Sequence, residues 1–151
     1  MSQYLEFQFN LAATETPSVT SESLKSQKFI LYVYPKDNTS ACTLEANEFA
    51  NLYEEFKKTG FEVYGISKDT LNSHHKFKDK FNLPFPLIAD PEKILLEGLD
   101  VFKEKKMYGK TVMGTIRSTF VFDKELKLIK EFRDVKAPGH AQFILDFVKS
   151  L

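Results

Sequence analysis

Apolar and polar positions fall into short blocks along the 151-residue chain. Residues 29–34 read FILYVY, an apolar, β-branched and aromatic run like a buried strand. The turn-rich PKDNTSA follows. Over residues 43–58 the period lengthens: Leu44, Phe49, Leu52, Tyr53 and Phe56 fall largely on one face of an amphipathic helix, and Gly60 is placed to stop it. FEVYGIS at 61–67 reads as a second strand. Residues 70–81 read as a helix capped by Asp69 or Thr70, and LPFPLIADP supplies a short proline-bounded strand.

The later blocks are less regular. Residues 91–96 predict a short helix, and 102–113 a polar excursion containing Gly109. RSTFVFD (117–123) and LKLIKEF (126–132), separated by Lys124 and Glu125, predict a hairpin. Pro138 marks a helix start, and Phe143, Ile144, Phe147 and Val148 a closing helix. The order β-α-β-α-β-α, then a hairpin and a helix, implies one α/β domain over residues 1–151, with a central mixed sheet flanked by helices.

Composition narrows the function classes. Apolar residues make up 42% and charged residues 28%, an ordinary globular mix. Twenty-one basic side chains balance 21 acidic ones, which argues against a nucleic-acid or anionic-membrane partner. The lysine-rich 103–110 stretch reads as solvated surface. No apolar run approaches the length of a membrane span, and MSQYLEFQFN lacks a signal-peptide pattern, so a cytoplasmic protein is expected.

Cys42 is the sole cysteine. That excludes an internal disulfide, a CxxC redox pair and a cysteine-rich zinc site. Composition alone makes it a small buried hydrophobe, but its setting points elsewhere. Cys42 falls where a strand hands over to a helix, at the end of an α/β sheet where ligands bind. The free N–H groups and positive dipole end of a first helical turn favour thiolate over thiol. Thr39, three residues earlier, either caps the helix (as Ser40 also can) or hydrogen-bonds the sulfur or an incoming oxygen. Pro35 either ends the strand or walls a pocket. Against 19 lysines there are two arginines, Arg117 and Arg133, and Arg117 opens an apolar strand. Such a guanidinium needs a partner, either a carboxylate or a thiolate with a polar oxygen species.

Other clusters carry less. His74 and His75 point about 100° apart on a helix and are not the i, i+4 pair of a metal site. They read as polar surface, and so does His140. GKTVMG (109–114) lacks the glycine spacing of a phosphate-binding loop and precedes a strand, and Glu54–Glu55 sit on a solvated helix. No metal and no organic cofactor is expected.

At YPKDNTSACTLEA the chain resembles the peroxiredoxins, whose active-site pattern P-x-x-x-T-x-x-C is carried by Pro35, Thr39 and Cys42. FPLIADP (85–91) and YGKTVMGTIRSTFVFD (108–123) are similar to the bacterioferritin comigratory protein, or Q-type, subgroup. The resemblance runs from about Phe7 to the C-terminus. It implies a thioredoxin-like fold and a cysteine-based peroxidase. Cys42 matches the peroxidatic cysteine, Thr39 the threonine that orients the peroxide, Pro35 the proline that shields the thiolate, and Arg117 the arginine that holds both. Glu45 matches an acidic residue expected to orient Arg117 or support the helix. Two departures stand out. Ser40 and Ala41 replace the usual Pro-Gly, and Asn47 occupies the place of a resolving cysteine.

The resemblance implies attack by the Cys42 thiolate on hydrogen peroxide or an alkyl hydroperoxide, giving a sulfenic acid. Arg117, Thr39 and the N–H groups of Ala41 and Cys42 are candidates to stabilise the reacting oxygens. Without a second cysteine, an outside thiol (thioredoxin, glutaredoxin or a small thiol) must complete the cycle, and over-oxidation to sulfinic acid should be easy. A monomer is expected, with a dimer through the edge near the active site as the alternative. The rival readings are a redox sensor or interaction module without efficient turnover, and a silent domain with a buried thiol.

Overall fold

The structure, a computed structural model, describes residues 9–16, 18–25 and 27–151. The first eight residues, which carry the reading of the N-terminus as free of a signal peptide, lie outside them. Among the described residues the central sheet has five strands in the order β5-β4-β3-β8-β9. These are β3 (Lys28–Val33), β4 (Phe61–Ser67), β5 (Leu87–Ala89), β8 (Ser118–Phe122) and β9 (Leu128–Phe132). β3, β4 and β5 run parallel, whereas β8 pairs antiparallel with β3 and with β9. The sheet is therefore mixed, as the block order implies.

β3 explains why its sequence shows no alternation. Ile30 and Tyr32 face one buried cluster, and Phe29, Leu31 and Val33 face another. A strand covered on both faces has no polar side to show. The first cluster packs α1 (Ser40–Lys58) and α4 (His140–Lys149) on the sheet through Phe49, Phe56, Ile144 and Val148. The second lies under the short α3 (Ile94–Gly98), with Leu95, Leu96, Phe120 and Phe122. α2 (Leu71–Phe81) is capped by Thr70, whose hydroxyl accepts from Ser73 N–H at 3.2 Å, and Gly60 follows α1 in a left-handed conformation (φ +87°).

Several boundaries differ from expectation. α1 begins at Ser40, so Cys42 lies inside its first turn. Its buried stripe runs through Cys42, Glu45, Ala46, Phe49, Tyr53 and Phe56, while Leu44 is 41% exposed. α3 starts at Ile94 because the buried Asp90 carboxylate accepts the N–H groups of Ile94, Leu95 and Leu96. The polar 102–113 stretch is an antiparallel ribbon, β6 (Phe102–Met107) with β7 (Lys110–Thr115). Most of its side chains are exposed, so its strand period carries no apolar contrast. GKTVMG thus enters β7 from Lys110 onward and still precedes a strand, β8 (Ser118–Phe122). The short pair β1 (Asn10–Leu11) and β2 (Val19–Thr20) is a further element that periodicity does not reveal. α4 starts at His140 after Gly139 (φ +78°), two residues past Pro138, and Phe143 is 56% exposed.

Gly65 on β4 is required by close packing. A Cβ there would lie 2.8 Å from Leu87 Cδ2 and 2.9 Å from Tyr32 Cζ. The Tyr32 ring cannot retreat, being stacked on Phe49 at 4.5 Å and edge-on to Phe85 at 5.7 Å. Gly65→Ala is expected to destabilise the fold by about 1–3 kcal/mol through overpacking. A denaturant midpoint unchanged from wild type would refute this.

Candidate active site

β3 ends at Val33, and the chain passes through Tyr34–Thr39 into α1. Thr39 is the N-cap residue in extended conformation (φ −90°, ψ 159°), but its side chain makes no capping bond. Its hydroxyl donates to the Lys36 carbonyl at 2.9 Å, while its own carbonyl accepts Thr43 N–H at 2.8 Å. With the hydroxyl proton so placed, the Thr39 oxygen keeps lone pairs to accept a hydrogen bond. By position, the N–H groups of Ser40, Ala41 and Cys42 have no acceptor within the helix. The Cys42 side chain is 1% exposed.

Arg117 enters from the residue before β8, next to β3. One guanidinium nitrogen donates to Cys42 Sγ at 3.3 Å, and the other to Glu45 Oε1 at 2.5 Å. Both partners proposed for this arginine from the sequence are therefore engaged at once. Glu45, one turn after Cys42, is fully buried, and its second oxygen has no hydrogen-bond partner. Burial pushes the Glu45 carboxyl up to about 7, against the downward pull of Arg117. Burial works to lower Arg117, but Glu45 and Cys42 hold it above its ordinary value. Pro35 and Arg117 share the lining of an open pocket of about 530 Å³ with Lys105, Lys106, Thr115 and Asp134. Cys42, Glu45 and Arg117 thus form one bonded group, Thr39 and Ala41 occupy the same turn, and Pro35 lies at the neighbouring pocket. Asn47 is half-buried farther along α1.

Two of the three histidines correct the surface reading. His74 is fully buried, with Nδ1 2.7 Å from Asp37 Oδ2 and Nε2 2.9 Å from the Ile88 carbonyl. His140 is 5% exposed and lies 2.7 Å from the Thr119 hydroxyl through Nε2. Both face inward because their helices lay that side against the sheet, which a pair of adjacent histidines cannot reveal. Asp37, Asp69 and His74 offer atoms within 4.8 Å of one another, a spacing a metal ion would tolerate. His74 Nδ1 already bonds the Asp37 carboxylate, which also accepts from Tyr34 and Ser73, while Asp69 accepts from Ser67 Oγ and the Asp37 backbone N–H.

The fold and site together define a thioredoxin-like α/β protein whose lone thiol sits at a helix N-terminus beside a guanidinium. Comparison with known proteins agrees. The AhpC/TSA family pattern matches residues 6–131, and the chain belongs to that family. It is 44% identical to peroxiredoxin Bcp of Bacillus subtilis, over 89% of this chain and 85% of the relative. To peroxiredoxin Bcp of Xanthomonas campestris it is 42% identical, over 80% and 76%. Xanthomonas campestris peroxiredoxin Q superposes with a TM-score of 0.89 at 34% identity, covering 99% of this chain and 98% of that one. The bacterioferritin comigratory protein of the same organism, studied for alkyl peroxide reduction in trapped intermediate and ligand complexes, gives 0.88 at 37% identity, covering 94% and 90%.

His140 supplies a pH test of this architecture. Burial, with repulsion from Arg117, lowers its pKa from 6.5 to about 4. The folded state therefore resists a proton that the unfolded chain accepts. Stability is complete above about 6.5 and is lost as pH falls toward about 4. His140→Gln keeps an acceptor for Thr119 but does not titrate. Denaturant midpoints should show wild type losing stability relative to this variant across that window; parallel curves would contradict the assignment.

Proposed function

We propose that this chain is a thiol-dependent peroxidase that reduces hydrogen peroxide and alkyl hydroperoxides through Cys42. The observation that carries the reading is the Arg117 fork, with one nitrogen on the sulfur and the other on the buried Glu45. A guanidinium held this way stabilises a thiolate before reaction and an oxygen anion during it. The thiolate attacks one peroxide oxygen and the O–O bond breaks. The sulfur becomes a sulfenic acid, and the departing hydroxide or alkoxide takes a proton to leave as water or alcohol. Arg117 and the N–H groups of Ala41 and Cys42 face the developing charge. Thr39, its own proton held by Lys36, accepts the hydrogen bond of the peroxide O–H and so aligns the bond to be broken. Pro35 shields the thiolate, and Glu45 orients Arg117.

The second half-reaction follows from the cysteine count. An external thiol attacks the sulfenic acid, water leaves, and a mixed disulfide forms. A second thiol then releases Cys42. Thioredoxin, glutaredoxin or a small thiol fits this role. The remaining parts of the reading are one AhpC/TSA-type domain over residues 1–151, acting as a cytoplasmic monomer in antioxidant defence. Among the described residues no helix is long and apolar enough to cross a membrane.

Intact-mass analysis tests the proposal. Reduced protein given one equivalent of hydrogen peroxide with a sulfenic-acid trap should label rapidly. Cys42→Ser should not label, and Arg117→Ala should label about 10²-fold more slowly, the scale for losing one preorganised donor. Excess peroxide without thiol should carry the wild type on to sulfinic acid. A thiol that stays unlabelled over minutes would overturn the reading, while labelling without turnover on added thiol would favour a redox sensor.

A further inference from the structure

The turn between β3 and α1 is tied down on the side away from Arg117. The Asp37 carboxylate is buried and accepts three hydrogen bonds: Tyr34 Oη at 2.6 Å, Ser73 Oγ at 2.8 Å and His74 Nδ1 at 2.7 Å. The other ring nitrogen of His74 meets the Ile88 carbonyl of β5 at 2.9 Å. Both ring nitrogens are thus engaged, one by the turn and one by β5. Asp37 N–H donates to Asp69 at 2.8 Å, and Lys80 of α2 reaches the Asn38 side chain at 3.2 Å. Asn38, the next residue, is left-handed (φ +63°), and Thr39 follows. Strand end, turn and α2 thus meet at one carboxylate two residues before Thr39, and β5 joins them through His74. Burial keeps the Tyr34 phenol well above its ordinary pKa, and hence a donor.

We propose that Asp37 and His74 are positioning residues for the peroxidase reaction. Their buried pair clamps the turn to α2, and so sets the Thr39 hydroxyl against Cys42. The proposal rests on the peroxidase reading above. It assigns the two residues no contact with peroxide. They act through the turn, as the Thr39–Lys36 bond exists only if residues 36–39 keep their present curve. A small misplacement at a reacting centre costs about 10²-fold in rate, so a loosened clamp is visible kinetically.

Three variants test it. His74→Asn keeps an amide N–H near the Nδ1 position and with it the bond to Asp37. His74→Gln places its amide near Nε2 and gives that bond up. Tyr34→Phe removes one donor to Asp37 with little change of shape. Two rates are measured well below each melting transition: oxidation of Cys42 by hydrogen peroxide, and alkylation of Cys42 by iodoacetamide, which does not use the Thr39 hydroxyl. The expectation is a loss of about tenfold or more in peroxide rate for His74→Gln and a smaller loss for Tyr34→Phe. His74→Asn should lie closer to wild type, and alkylation should be maintained throughout. Wild-type peroxide rates in His74→Gln and Tyr34→Phe would overturn the proposal. So would peroxide and alkylation rates that fall together in proportion to the folded fraction, the mark of a purely structural role. If His74→Gln does not fold, Tyr34→Phe decides by the same two rates. A wild-type thiol inert to peroxide would sink the peroxidase reading itself, and this proposal with it.

Discussion

Arg117 carries one charge and serves two acceptors. Its fork spans from Cys42 to Glu45, three residues apart on one face of α1. Everything around it maintains that span. α1 must start at Ser40 for Cys42 to lie in the first turn with Glu45 beneath it. β8 must run antiparallel beside β3 for a residue just before it to reach the same end of the sheet. Glu45 gains no hydration and only one hydrogen-bond donor, so its carboxylate depends on Arg117. The guanidinium in turn is held in place by a partner it cannot leave without stranding a buried acid.

The site is thus supported from both sides. Behind Arg117, β8 continues to Thr119, which bonds the neutral His140 at the start of α4. On the far side of the turn, Asp37 gathers Tyr34, Ser73 and His74. Neither group touches the sulfur in the structure. Both fix the path of a segment that does, which is how a fold turns ordinary side chains into a preorganised site. Cys42 itself is nearly sealed, so a small peroxide and a bulky thiol reductant face different demands of access.

Much of the fold was legible in the sequence, because the unbroken run at 29–34 and the long period of 43–58 reflect burial on two faces and on one. Cys42 and Arg117 were legible through scarcity, as one cysteine and one of two arginines. Other features depend on partners that periodicity cannot name. His74 meets Asp37 across 37 residues and His140 meets Thr119 across 21. Nothing local separates buried His74 from exposed His75. The β6–β7 ribbon stayed hidden because both of its faces are largely polar, and α3 was displaced because Asp90 caps it from outside the apolar pattern. Leu44 was misplaced since Glu45, a charged residue, takes the inward position beside it.

The dependence of Arg117 on Glu45 is the central claim, and a double-mutant cycle reads it most directly. Second-order rate constants for peroxide oxidation of Cys42 would be compared for wild type, Glu45→Gln, Arg117→Lys and the double variant. If Glu45 acts by holding the guanidinium on the sulfur, each single change slows the reaction, and the double variant is no slower than Arg117→Lys alone. Penalties that multiply, as for independent sites, would contradict the account.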